Sequence, residues 1–258
     1  MLEIFEELSK FDDIVYYDDP HVYYKNGVKM TSVTTLIGKF EKEFDEEFFS
    51  KKKAKQLGIT QAEVKAMWKR KNLISTVKGT AIHSYVENYL AHKVFPYPES
   101  VVRTAFSGED PVREKYDKII PLVHKFYDDI KGKLIPIKSE IIVGDSEYEI
   151  CGMIDQLFYN KKSKTLELWD WKTNEKITTT EPYKLLSPIS HLTQAKLDVY
   201  SLQLSLYKHI IQKNTNLKLG DSYLTWFNEN NDAYKIFKCH DYTEDVLKML
   251  DSFVKSKG

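Results

Sequence analysis

Asp170 and Lys172 combine an acidic and a basic side chain at a spacing that places both on one face of a β-strand. The segment TLELWDWKT (165–173) is rich in β-branched and aromatic residues, which is typical of a strand. Since residues two apart in a strand face the same side, Asp170 and Lys172 point together and Trp169 and Trp171 point the other way. Taken alone, Asp-x-Lys also fits a salt-bridged pair on a surface strand.

Asp155 lies on the preceding strand candidate, YEICGMIDQLFY (148–159), which the short polar turn NKKSK connects to the strand of Asp170. This connection predicts that the two carboxylates approach each other. Their repulsion makes joint burial unfavourable, and a divalent cation between them would remove it. Hard oxygen ligands suit Mg²⁺ or Mn²⁺. Lys172 beside such an ion would orient water and stabilise negative charge on a phosphate.

The stretch GMIDQLFYNKKSKTLELWDWKT resembles the core of the PD-(D/E)XK nuclease superfamily, particularly its RecB-like branch. That branch shows a Gly-x-x-Asp strand, a short hairpin and then Asp-x-Lys-Thr. The residues that match in order and spacing are Gly152, Asp155, Asp170, Lys172 and Thr173. The resemblance implies a restriction-endonuclease-like fold and metal-dependent hydrolysis of phosphodiester bonds, with Asp155 and Asp170 as metal ligands and Lys172 as a catalytic residue.

Upstream of this core, Gly79-x-x-x-His83 with Glu87 resembles the first helix motif of the branch, whose histidine is usually a metal ligand. Glu140, on the strand before Asp155, resembles the acidic catalytic residue of the preceding motif. His83 and Glu87 also fit an ordinary i,i+4 surface pair. Glu87 is a second ligand, a partner of a ligand, or exposed. Glu140 fits either the rim of the site or solvent.

Downstream, Gln203-x-x-x-Tyr207 resembles the glutamine–tyrosine helix motif, and the resemblance implies a role in DNA binding. Ordinary packing is the alternative for both residues. The N-terminal segment HVYYKNGVKMTSVTTLIGKF resembles the entry segment of phage-type and mitochondrial genome maintenance exonucleases. The whole resemblance spans roughly residues 20–210.

Composition sets limits on function. The 258 residues include 38 basic and 38 acidic side chains, so the net charge is zero and any basic DNA-binding surface is local. The two cysteines, Cys151 and Cys239, cannot hold the four-cysteine iron–sulfur cluster found in some relatives. The chain has no Walker A motif, so a helicase or recombination partner would act in trans. It lacks the pattern of a signal peptide or membrane span, so we expect a cytoplasmic protein, and the resemblance implies a bacterial or phage origin.

Hydrophobic periodicity predicts one α/β domain over 1–258, a mixed sheet flanked by helices with an N-terminal hairpin and a helical insertion. The remaining predicted strands are a 14–30 hairpin that turns at Asn26-Gly27, a strand at 135–143 and a hairpin of 222–227 with 233–237. The predicted helices are a short one in 31–40, then 78–92, 113–131 and 194–212, and a last helix near Asp241 with a capping box to Glu244. Residues 93–112 are predicted to form a loop.

Residues 41–72 are predicted to be helical and combine aromatic residues with the lysines Lys51, Lys52, Lys53 and Lys55. Aromatic faces can stack bases of a single strand, and lysines can follow its backbone. The segment is therefore either an arch that admits a threaded strand or a bracket that packs on the sheet through Phe44, Phe48 and Trp68 while its lysines face water.

Together these features predict a metal-dependent DNA exonuclease that acts at a free, single-stranded end in replication, recombination or degradation. Two alternatives use the same residues differently. One is a structure-specific DNA or RNA endonuclease, and the other is a nucleic-acid-binding protein without catalysis. The latter predicts a broken Asp–Asp–Lys set, whereas here the set is complete.

Overall fold

A mixed β-sheet forms the centre of the protein in the computed structural model, which describes residues 1–18 and 22–256. The strands are β1 Ile14–Tyr17, β2 Val22–Lys25, β3 Val28–Ser32, β4 Leu134–Asp145, β5 Ile150–Asn160, β6 Thr165–Lys172, β7 Leu219–Trp226 and β8 Lys235–Lys238. Strand β5 is central because it pairs antiparallel with β4 and β6 and parallel with β3. Strand β7 then pairs parallel with β6 and antiparallel with β8.

Helices cover both faces of this sheet. They are α1 Leu2–Leu8, α2 Val33–Gly38, α3 Glu46–Leu57, α4 Gln61–Leu90, α5 Glu99–Ala105, α6 Arg113–Ile130, α7 Lys196–Asn214 and α8 Thr243–Lys255. Apolar residues of α1, α2, α7 and α8 form one core with the sheet. Residues of α4, α5 and α6 form a second core around Trp169 and Trp171. The predicted mixed sheet flanked by helices is confirmed. Among the described residues, no helix has the length and hydropathy to cross a membrane.

The predicted N-terminal hairpin is present as β2 and β3, joined at Asn26 and Gly27, both of which have positive φ. This is the backbone that an Asn-Gly turn favours. Residues 19–21 of the predicted 14–30 segment lie outside the described residues. The predicted short helix is α2, where the Ser32 hydroxyl accepts a hydrogen bond from the backbone N–H of Thr35.

The start of the helix before the core motif differs from the prediction. We expected a helix to open after Gly79, but Gly79 lies inside α4, a continuous helix of 30 residues. Its N-terminus is fixed by a capping box in which the Thr60 side chain accepts from the Glu63 backbone and the Glu63 side chain accepts from Thr60. Packing of the helix therefore overrides the glycine.

Two further boundaries also differ. The predicted loop at 93–112 contains α5, which follows Pro98 and buries Val102 in the second core. The predicted capping box at the last helix does not form. Instead, the Asp241 carboxylate accepts hydrogen bonds from the backbone and hydroxyl of Thr243, the first residue of α8.

Helix α3 packs on the N-terminal half of α4. Two exposed aromatic rings lie in this region, one on α3 and one just before it. Gln61 of α4 donates hydrogen bonds to the Glu47 carboxylate and the Ser50 hydroxyl of α3. Phe44, which precedes α3, is 63% exposed and Phe48 is 56% exposed. We refer to residues 41–72, which contain α3 and the first turns of α4, as the arm.

Gly152 on β5 permits a close approach of α7. A Cβ atom at this position would lie 2.6 Å from Cε1 and 2.8 Å from the hydroxyl of Tyr207, closer than real Cβ contacts allow. The Tyr207 ring is buried, so it has little room to withdraw. The glycine of the strand motif and the tyrosine of the helix motif are thus two sides of one contact.

We predict that Gly152→Ala lowers the free energy of unfolding by about 1–3 kcal/mol, because overpacking a filled core strains it. Denaturant unfolding measures this change. In a Tyr207→Leu background the same alanine should be less destabilising, since the ring it strikes is gone. Gly38→Ala is the control, since no atom lies within 4 Å of a Cβ built there. Equal effects at the two glycines, or no coupling to Tyr207, would contradict the proposed contact.

Candidate active site

Asp155 and Asp170 meet where strands β5 and β6 separate. The pairing of these strands ends at Gln156 opposite Trp169, so the two aspartates are the next residues along each strand. The Asp155 carboxylate accepts a hydrogen bond of 2.7 Å from the backbone N–H of Trp171. The side chain thereby satisfies a strand N–H after the regular pairing ends, and both carboxylates stay at the opening.

His83 reaches this opening from α4. Its Nδ1 lies 3.5 Å from Oδ2 of Asp155. Helix α4 crosses the end of β6 closely, and a Cβ built on Gly79 would be 3.6 Å from the Thr173 hydroxyl. That distance is ordinary van der Waals contact, so the position of α4 does not strictly require glycine at position 79. At Gly152, by contrast, the close approach of Tyr207 does require glycine.

Glu140 completes a group of three possible metal ligands. It lies on β4 between Ser139 and Ile141, which pair with Gln156 and Ile154, so it stands opposite Asp155. Ligand atoms of His83, Glu140 and Asp155 all lie within 4.8 Å of one another. The φ angle of Glu140 is 50°, a left-handed conformation that non-glycine residues rarely adopt. Such backbone outliers cluster at functional sites.

The partly buried Lys172 forms an ion pair with the buried Asp170 beside this group. The distance between Lys172 Nζ and Asp170 Oδ2 is 2.6 Å. The contact lacks hydrogen-bond alignment, and Oδ2 is a buried atom without a hydrogen-bond partner among the described residues. Asp170 is not one of the three grouped ligands, although its carboxylate adjoins Asp155. Oδ2 of Asp170 is therefore an acceptor that could still bind a donor or a cation.

The carboxylates of the site affect one another's protonation. Burial, reinforced by the charge of Asp155, raises the pKa of Glu140 to about 7. Burial also raises the pKa of Asp170 to about 6, with Lys172 opposing the shift and Asp155 adding to it. Burial pushes the pKa of Asp155 upward as well, but His83 and Lys172 outweigh it and lower the pKa. Two of three acids are therefore difficult to ionise without a cation.

The two basic groups show the complementary effect. Burial lowers the pKa of His83, but the Asp155 carboxylate outweighs it and raises the pKa to about 9. Burial likewise opposes the charge of Lys172, whereas Asp170 and Asp155 raise its pKa. A divalent cation would supply the positive charge that a protonated His83 supplies here. The ligand set fits such an ion. It comprises the His83 imidazole, the carboxylates of Glu140 and Asp155, and Oδ2 of Asp170, which makes no hydrogen bond among the described residues.

Other predicted site residues have different surroundings. Glu87, one helical turn beyond His83, is half-buried and lies outside the grouped ligands, although its charge contributes to raising the pKa of Glu140. Gln203 donates a 3.3 Å hydrogen bond to the Tyr207 hydroxyl. The Tyr207 ring is 3% exposed and packs against Gly152, and the DNA-binding role expected of Gln203 and Tyr207 stays a prediction. Four arm residues, Lys51, Lys52, Lys53 and Lys55, are exposed on α3.

The structure adds residues that the sequence did not single out. A cleft of about 510 Å³ opens beside His83 and Lys172, and Tyr200 and Asn174 line it together with Lys176. Lys172 Nζ lies 4.3 Å from the centre of the Tyr200 ring. Tyr200 precedes Gln203 by one helical turn, and this spacing on one face of α7 is the signal that could have indicated it.

No protein-family model matches this chain, and no curated protein does. The chain is similar to the crystal structure of a protein from Eubacterium rectale with the provisional designation exonuclease, at a TM-score of 0.49 and 17% identity, over 71% of this chain. It spans 65% of that protein's length. A second solved structure has a TM-score of 0.33 and 14% identity over 99% of this chain and 85% of its own. At these values neither similarity bears on activity.

We predict that Glu140→Gln stabilises the protein in EDTA at pH 8 and destabilises it relative to wild type in Mn²⁺. The pKa of Glu140 is raised from 4.5 in the unfolded chain to about 7 in the folded protein. The carboxyl group therefore lowers the free energy of unfolding progressively as pH rises from 4.5 to about 7, and it has little effect at pH 4. The melting temperature in EDTA should rise by a few degrees, because 1 kcal/mol shifts a domain of this size by about 2–4 °C. Mn²⁺ should raise the melting temperature of the wild type more than that of the variant, because only the wild type keeps the Glu140 carboxylate as a ligand.

Glu114→Gln is the matched control, since Glu114 is exposed on α6 and Lys118 lowers its pKa. Its neutralisation should not raise the melting temperature at any pH. Two results would show that Glu140 does not belong to a metal site. One is a melting temperature of Glu140→Gln in EDTA that never exceeds that of wild type. The other is the same order of the two melting temperatures in Mn²⁺ as in EDTA.

Proposed function

We propose that this protein is a divalent-metal-dependent nuclease that hydrolyses phosphodiester bonds of DNA from a free, single-stranded end. The observation that carries the proposal is the convergence of His83, Glu140 and Asp155 next to the Asp170–Lys172 pair. A group of possible metal ligands with a partly buried lysine beside it suits phosphodiester hydrolysis.

In this proposal His83, Glu140 and Asp155 would hold a Mg²⁺ or Mn²⁺ ion, with Asp170 as a further ligand. When bound, the ion would supply Lewis-acid chemistry to a phosphate and to water. The Trp171 N–H fixes one oxygen of Asp155, which restricts the orientation of the ligand. The Lys172 ammonium stays protonated and is placed to stabilise negative charge that develops on the phosphate.

The cleft at the site and a groove on the arm share one lining residue. Asn72 of α4 lines both the cleft beside Lys172 and a groove of about 710 Å³ formed with Phe44 and Trp68. Lys65 and Lys69 also line this groove. Aromatic rings alternating with lysines can bind a single strand without reading its sequence. We propose that the strand leaves the cleft along this groove, and that a helicase or recombination partner acting in trans supplies it.

We predict that end-labelled single-stranded DNA is cleaved in Mg²⁺ or Mn²⁺ and remains intact in excess EDTA. Lys172→Ala should lower the rate on the order of a hundredfold or more, because its charge acts mainly in the transition state. Mn²⁺ binding should persist in that variant, measured by calorimetry, whereas His83→Ala should weaken it. Lys162→Ala, in the exposed β5–β6 turn, is the control. Cleavage in EDTA or by Lys172→Ala at the wild-type rate would refute the mechanism.

The form of the substrate separates the proposed exonuclease from an endonuclease with the same site. A circular single strand of the same sequence should remain uncut, because it has no end to thread. Cleavage of the circle at the rate of the linear strand would identify an endonuclease, and cleavage of RNA only would change the substrate class.

We predict that changing Lys51, Lys52, Lys53 and Lys55 to glutamate weakens DNA binding and flattens its salt dependence. Each lost phosphate contact should reduce the slope of log K against log salt by about 0.7 for a single strand. The control reverses four lysines near the β5–β6 turn, Lys133, Lys161, Lys162 and Lys164, all of which are exposed. If binding, salt slope and end preference match the control, the arm is a structural bracket.

A further inference from the structure

The ammonium group of Lys172 has two neighbours of different kinds. One is the Asp170 carboxylate, at 2.6 Å from Nζ to Oδ2. The other is the face of the Tyr200 ring, whose centre is 4.3 Å from Nζ. An ammonium within about 6 Å of an aromatic face is attracted by the quadrupole of the ring, most strongly where water is excluded. The Lys172 side chain is only 15% exposed, so solvent screens this attraction less than it would at an open surface.

The Tyr200 ring is held in place by the segment that follows β6. Its hydroxyl donates a hydrogen bond of 3.0 Å to Oδ1 of Asn174. The Asn174 backbone carbonyl accepts two bonds of 2.8 Å, one from Nε1 of Trp226 and one from Nδ2 of Asn228. The ring is thus tied to the ends of β6 and β7 as well as to its own helix, α7.

The two neighbours of Lys172 would respond differently to a bound divalent cation. A cation near Asp170 would compete for the carboxylate and repel the ammonium, so the ion pair alone would loosen. The aromatic face carries no net charge and does not ligate hard cations, which prefer oxygen. It continues to attract the ammonium, and it offers no acceptor to which the proton could move.

We propose that Tyr200 is the positioning residue for Lys172 and holds its ammonium beside the reacting phosphate through the face of the ring. This inference rests on the proposed nuclease activity for its kinetic consequence, although the contact between Tyr200 and Lys172 can be measured without it. The aromatic ring is the required feature, and the hydroxyl serves to anchor it to Asn174.

The kinetic test compares Tyr200→Leu with Tyr200→Phe on linear single-stranded DNA in Mn²⁺. Tyr200→Leu should lower kcat on the order of tenfold, equivalent to about 1.4 kcal/mol, and leave KM nearly unchanged. Tyr200→Phe, which retains the ring, should recover most of kcat. A rise in KM with unchanged kcat would overturn the proposal in favour of stacking on a nucleotide. An equal loss of kcat in both variants would overturn it in favour of the hydroxyl.

Tyr148→Leu is the matched control, because Lys213 Nζ lies 4.2 Å from the centre of the Tyr148 ring in a second pair of the same type. Removal of this pair, which lies outside the cleft, should leave kcat and KM unchanged. A loss of kcat equal to that of Tyr200→Leu would show that the effect reflects general destabilisation, and would overturn the specific role of Tyr200.

A measurement independent of activity uses NMR of lysines labelled at the ε carbon, with Lys172→Arg to assign the signal. The ring should shift the Lys172 ε protons upfield in wild type and Tyr200→Phe, and the shift should vanish in Tyr200→Leu. The Lys213 signal should change only in Tyr148→Leu. No upfield shift of Lys172 in wild type would overturn the proposal. A wild-type protein that shows the shift and cuts no DNA would refute the nuclease activity alone.

Discussion

Repulsion among the carboxylates at the opening between β5 and β6 is the constraint on which the rest of the site depends. Asp170 is buried and the neighbouring Asp155 and Glu140 are partly buried, so these three side chains need nearby positive charge. In the described structure His83 and Lys172 provide it, and the raised pKa of Glu140 and Asp170 shows that the compensation is incomplete. Three carboxylates thus face two basic side chains at this opening, an arrangement that a further positive charge would stabilise.

The surrounding architecture keeps this excess from disrupting the sheet. The two tryptophans of β6 carry apolar surface into the core under α4 and α6, while the aspartate and lysine of the same strand face the opening. On the other side, α7 lies close to β5 because Gly152 has no side chain. Apolar burial on both faces provides the stabilisation that an unfavourable polar centre requires.

Local sequence patterns predicted the sheet and the proximity of Asp155, Asp170 and Lys172, because alternation within a strand is a short-range property. They failed where tertiary packing decides. Gly79 was interpreted as a helix start, although α4 continues through it from its capping box. The place of Glu140 opposite Asp155 depends on strand register and on an unusual backbone angle. The spacing of Tyr200 and Gln203 could have placed Tyr200 on the site-facing side of α7, but its contact with Lys172 depends on how α7 approaches β6.

Helix α4 belongs to both the arm and the metal-ligating group. Its 30 residues extend for about 45 Å at a rise of 1.5 Å per residue. Just past its middle the helix is joined to the segment after β7 by a buried ion pair between Lys78 and Glu229. Beyond that point lies His83. Under the proposed function, one rigid helix would connect the arm to the proposed ligand His83, so a substrate that displaced the arm would also move the imidazole.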